Sequence, residues 1–407
     1  MTKEDELIRA DFPLLNESNI VYLDNTATSQ KPKKVIDDVA EFYMTLNSNP
    51  MRGLYDISVR ATEKVEEARE KTASFINAKS RSEIIFTRNA TEGLNLVAYS
   101  YGEENVFEGD EVLISIAEHH SNLLPWKRLC ERKKACLKYF ECDEKGVFSL
   151  EDFKKALSGK TKIVAMSAMS NVFGRDNEIT PFVKAAHECG AVFVADGAQS
   201  VPHIKTDVRE SDVDFLAFSG HKMFAPMGTG VLYGKEELLK EMPPFLSGGE
   251  MIEYVHRDSE RYSDPPYRFE AGTLNAGGAV GLLSALEYIG SKGFENIMRR
   301  EEELSKYMLA GISSIPHVTV IGSGKGEEHH GIFTFTVDGV HPHDISEIMS
   351  SRNICIRAGH HCAQPLHEYL GIRSTARASL GYYNTKDDID AFLSTLSDIR
   401  SVMGYKD

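Results

Sequence analysis

The 407-residue sequence predicts an α/β protein: a large domain on a mostly parallel central sheet flanked by helices, plus a smaller α+β domain. Three observations carry this prediction. Short apolar runs alternate with amphipathic helical patterns over roughly the first two-thirds of the chain. Several of those runs end in polar clusters, where open α/β sheets place their ligands. After about Ala276 the rhythm changes to long helical patterns followed by a few strands.

The expected strands of the large domain are Ile84 to Thr87, Glu111 to Ile116, Lys162 to Ser167, Ala191 to Ala195, Asp214 to Phe218 and Gly230 to Tyr233. Each is a short apolar run of the kind a buried parallel strand requires. Ala61, Val65, Ala68, Thr72 and Phe75 form one stripe at helical spacing. Met251 to Arg268 is polar and aromatic and contains Pro265-Pro266, which predicts a long excursion or small hairpin. Beyond it, helices are expected over Gly278 to Ser291 and Phe294 to Ile312, then strands His317 to Ile321 and Gly331 to Val337. A helix from His343, a short strand Ile354-Cys355-Ile356 and a last helix from Thr385 complete the unit. Thr385 with Asp388 has capping-box spacing, with an acid in place of the commoner Glu or Gln. Residues 20–275 are therefore assigned to the large domain, and residues 1–19 with 276–407 to the small one.

The composition is 42% hydrophobic and 26% charged. Apolar runs are short and broken by charge, so no membrane span is expected. Met1-Thr2-Lys3-Glu4-Asp5-Glu6 is acidic and lacks an apolar core, which makes a cytoplasmic protein the expectation. A net charge of −15 argues against nucleic acid as a partner. The six cysteines have no paired CxxC spacing and read as reduced thiols.

The strongest chemical signal is Asp196-Gly197-Ala198-Gln199 followed by Ser219-Gly220-His221-Lys222, each at the end of an apolar run. Pyridoxal phosphate (PLP) chemistry needs this pair: an amine that carries the cofactor as a Schiff base, and a carboxylate that keeps its ring protonated. Asn89-Ala90-Thr91-Glu92-Gly93 follows a strand and opens a helix, so it offers N–H groups and a hydroxyl to a phosphate, or is an ordinary cap. Glu118-His119-His120 puts an imidazole at another strand end, to stack on a ring or exchange protons; a surface pair or a metal site are the alternatives. Asn171 can hydrogen-bond a ring oxygen or serve a turn. Thr273, in Glu270-Ala271-Gly272-Thr273, is a second candidate phosphate donor. Arg357-Ala358-Gly359-His360-His361-Cys362-Ala363-Gln364-Pro365 sets one thiol beside two histidines and near an arginine, surroundings that make a thiol reactive. A metal can also be drawn there from His360, His361, Cys362, His367, His341 and His343, but the spacing fits no common zinc pattern, and no metal is expected. Arg377 suits a substrate carboxylate or a surface ion pair.

With these residues in view the chain resembles the cysteine desulfurases. The similarity is to the SUF-type group that also includes selenocysteine lyases, fold-type I PLP enzymes of the class V aminotransferase family. It runs from Tyr22-Leu23-Asp24-Asn25 to Tyr383-Asn384-Thr385, and His360-His361-Cys362-Ala363-Gln364-Pro365 is similar to the SUF-type persulfide loop. The resemblance implies a PLP enzyme that converts L-cysteine to L-alanine, leaves the sulfur on Cys362 as a persulfide, and also accepts selenocysteine in some members. It implies Lys222 as the Schiff-base lysine, Asp196 at the pyridine nitrogen, Gln199 at the phenolic oxygen and His119 stacked on the ring. Thr91, Ser219 and His221 would hold the phosphate, with Thr273 reaching in from the second subunit of a homodimer. Asn171 and Arg377 would orient the amino acid, with Asn25 lining the site. A sulfur-acceptor or iron–sulfur scaffold protein is the implied partner, and iron–sulfur cluster assembly the implied context. Two departures stand out. Asn89-Ala90 replaces the group's usual Gly-Thr pair, removing one hydroxyl, and Met51 and Tyr55 replace its usual histidines after Asn49-Pro50.

Overall fold

Seven strands form the central sheet of the computed structural model, which describes residues 1–322, 324 and 329–405. Across the sheet they run Ile84–Thr87, Gly230–Gly234, Phe215–Ser219, Val192–Asp196, Thr161–Ser167, Glu111–Ser115 and Cys136–Phe140. Gly230–Gly234 is antiparallel to both neighbours, and every other pairing is parallel. The inner strands are apolar through their middles because helices cover both faces. Alternate residues feed two cores: Leu113, Val164, Phe193 and Leu216 one, and Val112, Ile163, Val194 and Phe215 the other.

All six expected strands are present, with ends within a residue of those expected. The seventh, Cys136–Phe140, was missed because it lies at the sheet edge and buries only Phe140, so it leaves no apolar run. Within Met251 to Arg268, Ile252–Val255 and Glu260–Tyr262 pair as an antiparallel hairpin.

The small domain has an antiparallel four-stranded sheet ordered Val318–Val320, Ile332–Val337, Thr375–Ser379 and Arg357–Gly359. Helices Phe294–Ile312, Pro342–Ser351 and Lys386–Val402 contribute Leu304, Ile345 and Phe392 to a core shared with Phe333 and Phe335. The last helix begins as its spacing predicts. Thr385 Oγ accepts from the Asp388 N–H, and the Asp388 carboxylate accepts from the Thr385 N–H over 3.0 Å.

Packing differs from the expected division in one respect. Helix Ala276–Lys292, expected in the small domain, joins Phe42, Ala61, Val65 and Ala68 in a core with helices Lys33–Thr45 and Asp56–Phe75. Its small residues allow this approach, since a Cβ at Gly277 would lie 2.4 Å from the Tyr43 hydroxyl. The N-terminal segment bridges both units: Ile8, Phe12 and Leu15 pack with Phe224 and Tyr288, while Arg9 pairs with Asp388 (3.0 Å) and Asp5 with Arg300 (2.5 Å). We therefore propose that the division falls near Gly293 rather than after residue 275, with residues 1–19 serving both units.

Candidate active site

Because five of the strands that carry the site point the same way, their C-terminal ends share one edge of the sheet. Strand Val192–Asp196 delivers Asp196 there. The carboxyl is buried, which pushes its pKa up, and the Ala198 N–H (2.9 Å) and Lys222 oppose that shift. Strand Phe215–Ser219 delivers Lys222 on the turn that follows it. The turn is held by the His221 carbonyl, which accepts from the Ser29 N–H (3.0 Å), Thr28 Oγ1 (3.0 Å) and Lys31 Nζ (2.8 Å). Burial lowers the Lys222 pKa to about 8; Asp196 opposes this and Arg377 adds to it.

Beyond strand Glu111–Ser115, the buried Glu118 carboxylate ties down the loop that bears His119. It accepts from the Ser167 N–H (2.9 Å), the Ser167 hydroxyl (2.8 Å) and Asn122 Nδ2 (2.6 Å), and also from Ser115 Oγ. His119 Nδ1 accepts from the Ser121 N–H at 3.1 Å, so the neutral ring carries its proton on Nε2. Burial, then Lys222, His120 and Arg377, push its pKa down to about 3, and a neutral aromatic ring faces the cavity.

One end of the cavity is made by helix Ala90–Val97. Asn89 spends its side chain on the Glu92 N–H (3.0 Å), and the Ala90 N–H meets Ser219 Oγ (2.9 Å). Gly230 permits this geometry, since a Cβ there would stand 2.5 Å from Asn89 Cα. Thr91 Oγ1 lies 2.7 Å from Ser121 Oγ. His221 is held neutral, its pKa lowered to about 4 by burial and then by Lys222 and Lys31. Hydroxyls of Thr91, Ser121 and Ser219 thus gather at a helix N-terminus, a setting that suits an anion.

The small domain closes the cavity. Arg377, on strand Thr375–Ser379, is fully buried; its Nη1 donates to the Asn171 main-chain carbonyl (3.0 Å), Asp24 lies 3.8 Å away, and its Nε has no partner. Burial lowers its pKa to about 10, which leaves it a cation at neutral pH. Cys362 is exposed, and His361 and Cys362 both have left-handed backbones, with φ of 52° and 56°. The His120 N–H donates to the Cys362 carbonyl (2.7 Å), and Asn171 Nδ2 donates to the His361 carbonyl (2.7 Å). His361 Nε2 and His367 Nε2 both meet Thr375 Oγ1, at 2.9 and 3.0 Å, so these histidines brace the loop. Among the described residues no group of three or more His, Cys, Asp or Glu is arranged to hold a metal.

One cavity of about 320 Å³ brings together Thr91, His119, Asn171, Asp196, Gln199, Ser219, His221, Lys222, Cys362 and Arg377. Two sequence candidates lie outside it. Asn25 is buried beyond Lys222, its amide donating to the Ser379 carbonyl (2.7 Å) and Asn384 Oδ1 (3.2 Å), with its own carbonyl taken by Tyr383. Thr273 is exposed and does not line this chain's cavity. Asn171 directs its amide nitrogen at the cysteine loop rather than leaving it for a ring oxygen, and Gln199 Nε2 donates to the Thr26 carbonyl (3.0 Å). Sequence reasoning missed Ser121 and Thr26, whose signal was their adjacency to the histidine and Asp24-Asn25 motifs. It also missed Asp24 as the partner of Arg357 (2.8 Å), for which the sequence offers no signal across so long a separation.

A buried acid, a buried amine of lowered pKa, a flat neutral ring and a polar phosphate end suit PLP along the length of the cavity. The family described as aminotransferase class-V matches residues 21–392. The chain belongs to that family. It is 44% identical over 402 residues to a probable cysteine desulfurase of Halalkalibacterium halodurans, covering 98% of each chain. Among solved structures, the apo cysteine desulfurase of Thermococcus onnurineus superposes with a TM-score of 0.93 at 40% identity, covering 98% of both chains. The Escherichia coli cysteine desulfurase CsdA, solved as its S-sulfonic acid, gives a TM-score of 0.91 at 34% identity, over 99% of this chain and 100% of the other.

Proposed function

We infer that the protein is a PLP-dependent cysteine desulfurase that converts L-cysteine to L-alanine and takes the sulfur onto Cys362. The observation that carries this reading is one exposed thiol, Cys362, lining the cavity that also holds Lys222, Asp196 and Arg377. When bound, the cofactor supplies an electron sink for the bond broken at the substrate Cα. Lys222 would anchor it, and its amine would take the Cα proton; a pKa near 8 leaves enough neutral amine to do so at physiological pH. Asp196 holds the proton on the pyridine nitrogen, and His119 offers its neutral face to the ring. Arg377, a buried cation with an unpartnered Nε, receives the substrate carboxylate. The Cys362 thiolate attacks the substrate sulfur; an S–S bond forms as the Cβ–S bond breaks, leaving a persulfide and a three-carbon unit that is protonated to alanine.

A second copy of the chain completes the site in this reading. Thr273 belongs to a surface shared with exposed Leu54, Ile57 and Met227. Arg52–Glu250 (2.8 Å), Gly272 N–H to the Gly249 carbonyl (2.9 Å) and Asn275 to the Gly228 carbonyl (2.9 Å) join these segments. A homodimer across this face would cover those apolar side chains and lend Thr273 to the neighbouring phosphate. The exposed Cys362 suits delivery of sulfur to an acceptor or iron–sulfur scaffold protein. Six free thiols fit a reducing, cytoplasmic setting, and no helix among the described residues is long and apolar enough to cross a membrane.

The test is L-cysteine turnover by the PLP-loaded protein with a reductant present. Alanine and sulfide should form in equal amounts, and Cys362→Ala should make neither while keeping the cofactor absorbance. Full turnover by Cys362→Ala would overturn the role given to the thiol.

A further inference from the structure

Three buried side-chain atoms that lack a hydrogen-bond partner belong to residues lining the one cavity: Thr26 Oγ1, Arg377 Nε and His361 Nδ1. Leaving a buried polar atom unpaired is costly, so a cluster of them marks where a ligand completes the set. Thr26 is the least expected. A buried threonine ordinarily satisfies its hydroxyl on a nearby carbonyl, as Thr72 does on Ala68 at 2.7 Å. Thr26 is 3% exposed and has no such bond.

Its backbone is held on both sides. The Thr26 N–H donates to Ser379 Oγ (2.9 Å), and its carbonyl accepts from Gln199 Nε2 (3.0 Å). Ser379 and Arg377 stand two apart on strand Thr375–Ser379, so their side chains leave the same face. Thr26 is thus tied on one side to the strand face that bears Arg377 and on the other to Gln199, and all three line the cavity. We propose that the Thr26 hydroxyl is a further substrate-positioning group, donating to the α-carboxylate of the amino-acid substrate beside Arg377. This rests on the reading of Arg377 as the carboxylate clamp. Together the two residues make the site demand a carboxylate: a guanidinium for its charge and a hydroxyl to fix its plane.

The experiment compares PLP-loaded wild type with Thr26→Val, Thr26→Ser and Arg377→Ala. It measures KM and kcat for L-cysteine, and calorimetric binding of L-alanine and of cysteamine, which has no carboxylate. Thr26→Val should raise KM and the L-alanine Kd about tenfold, or about 1.4 kcal/mol. It should hold kcat within about twofold, the pattern of lost ground-state binding. Thr26→Ser should restore both, and cysteamine should bind wild type and Thr26→Val alike. Unchanged L-alanine binding in Thr26→Val, or an equal loss with cysteamine, overturns the assignment. If Arg377→Ala weakens L-alanine while Thr26→Val does not, only the role of Thr26 falls; if neither does, the carboxylate clamp falls with it.

Discussion

The side-chain amide of Asn171 donates to the main-chain carbonyl of His361 over 2.7 Å, joining a loop of the large sheet to the loop that carries Cys362. The next carbonyl, that of Cys362, accepts from the His120 N–H at 2.7 Å. Left-handed backbone at two successive non-glycine residues costs on the order of 1–3 kcal/mol each. These tethers from the large domain hold the pair in place.

Removing the tether should free the thiol. In Asn171→Ala, turnover of L-cysteine should fall about tenfold to a hundredfold, the effect of a buried hydrogen bond worth about 1–3 kcal/mol. Alkylation of Cys362 by iodoacetamide should speed up in the same variant. A variant with unchanged turnover and alkylation would show that the loop holds itself.

The pH dependence of cofactor capture should report Lys222. Only the neutral amine reacts with the cofactor aldehyde, and burial places its pKa at about 8. The capture rate of apoprotein should therefore rise with pH, with a midpoint near 8, and level off above it. Asp196 raises that pKa, so Asp196→Asn should move the midpoint to lower pH. Stopped-flow absorbance against pH measures both.

Ser121 should matter for cofactor affinity. Its hydroxyl lies 2.7 Å from Thr91 Oγ1 and 3.0 Å from His119 Nδ1, linking the phosphate end to the stacking ring. Asn89-Ala90 has no hydroxyl to bring to that end, and the Asn89 side chain is spent as a helix cap. Ser121→Ala should weaken PLP binding to apoprotein about fivefold to tenfold, the scale of one hydrogen bond. Fluorescence titration with PLP checks it.

A buried ion pair should dominate the stability of the segment that bears Thr273. Arg69 grips Glu270 at 2.7 and 2.8 Å, and the same two side chains also meet the Ile84 carbonyl (2.7 Å) and the Phe86 N–H (2.6 Å). Glu270→Ala leaves the fully buried Arg69 guanidinium with Glu66 (3.3 Å) as its remaining carboxylate and should cost about 3–5 kcal/mol in urea unfolding. Arg69→Met with Glu270→Leu should cost less than that single change, since the buried guanidinium leaves with its partner and Glu66 keeps Arg81 (3.5 Å).

Much of this fold is legible along the chain, for a physical reason. A strand buried on both faces, such as Val192–Asp196, must be an apolar run, and the polar residue that ends it shows against it. Thr385 and Asp388 announce a helix start because a cap is a local bond. Strand Thr375–Ser379 could not be read, because three of its five residues are polar and serve the site and its bracing instead of the core. Helix Ala276–Lys292 packs with helices Lys33–Thr45 and Asp56–Phe75, which its sequence could not show, because an apolar face does not say which neighbour covers it.

The candidate chemistry is written along the chain: an amine and an acid at strand ends, a helix start with a threonine in its first turn, and one thiol among histidines. Only the tertiary structure decided which of these meet. It set Cys362 and Arg377, far along the chain from Lys222, on one cavity wall, left Asn25 and Thr273 outside, and brought in Thr26 and Ser121. Periodicity and caps are written in neighbouring residues, whereas convergence depends on how one domain packs against another.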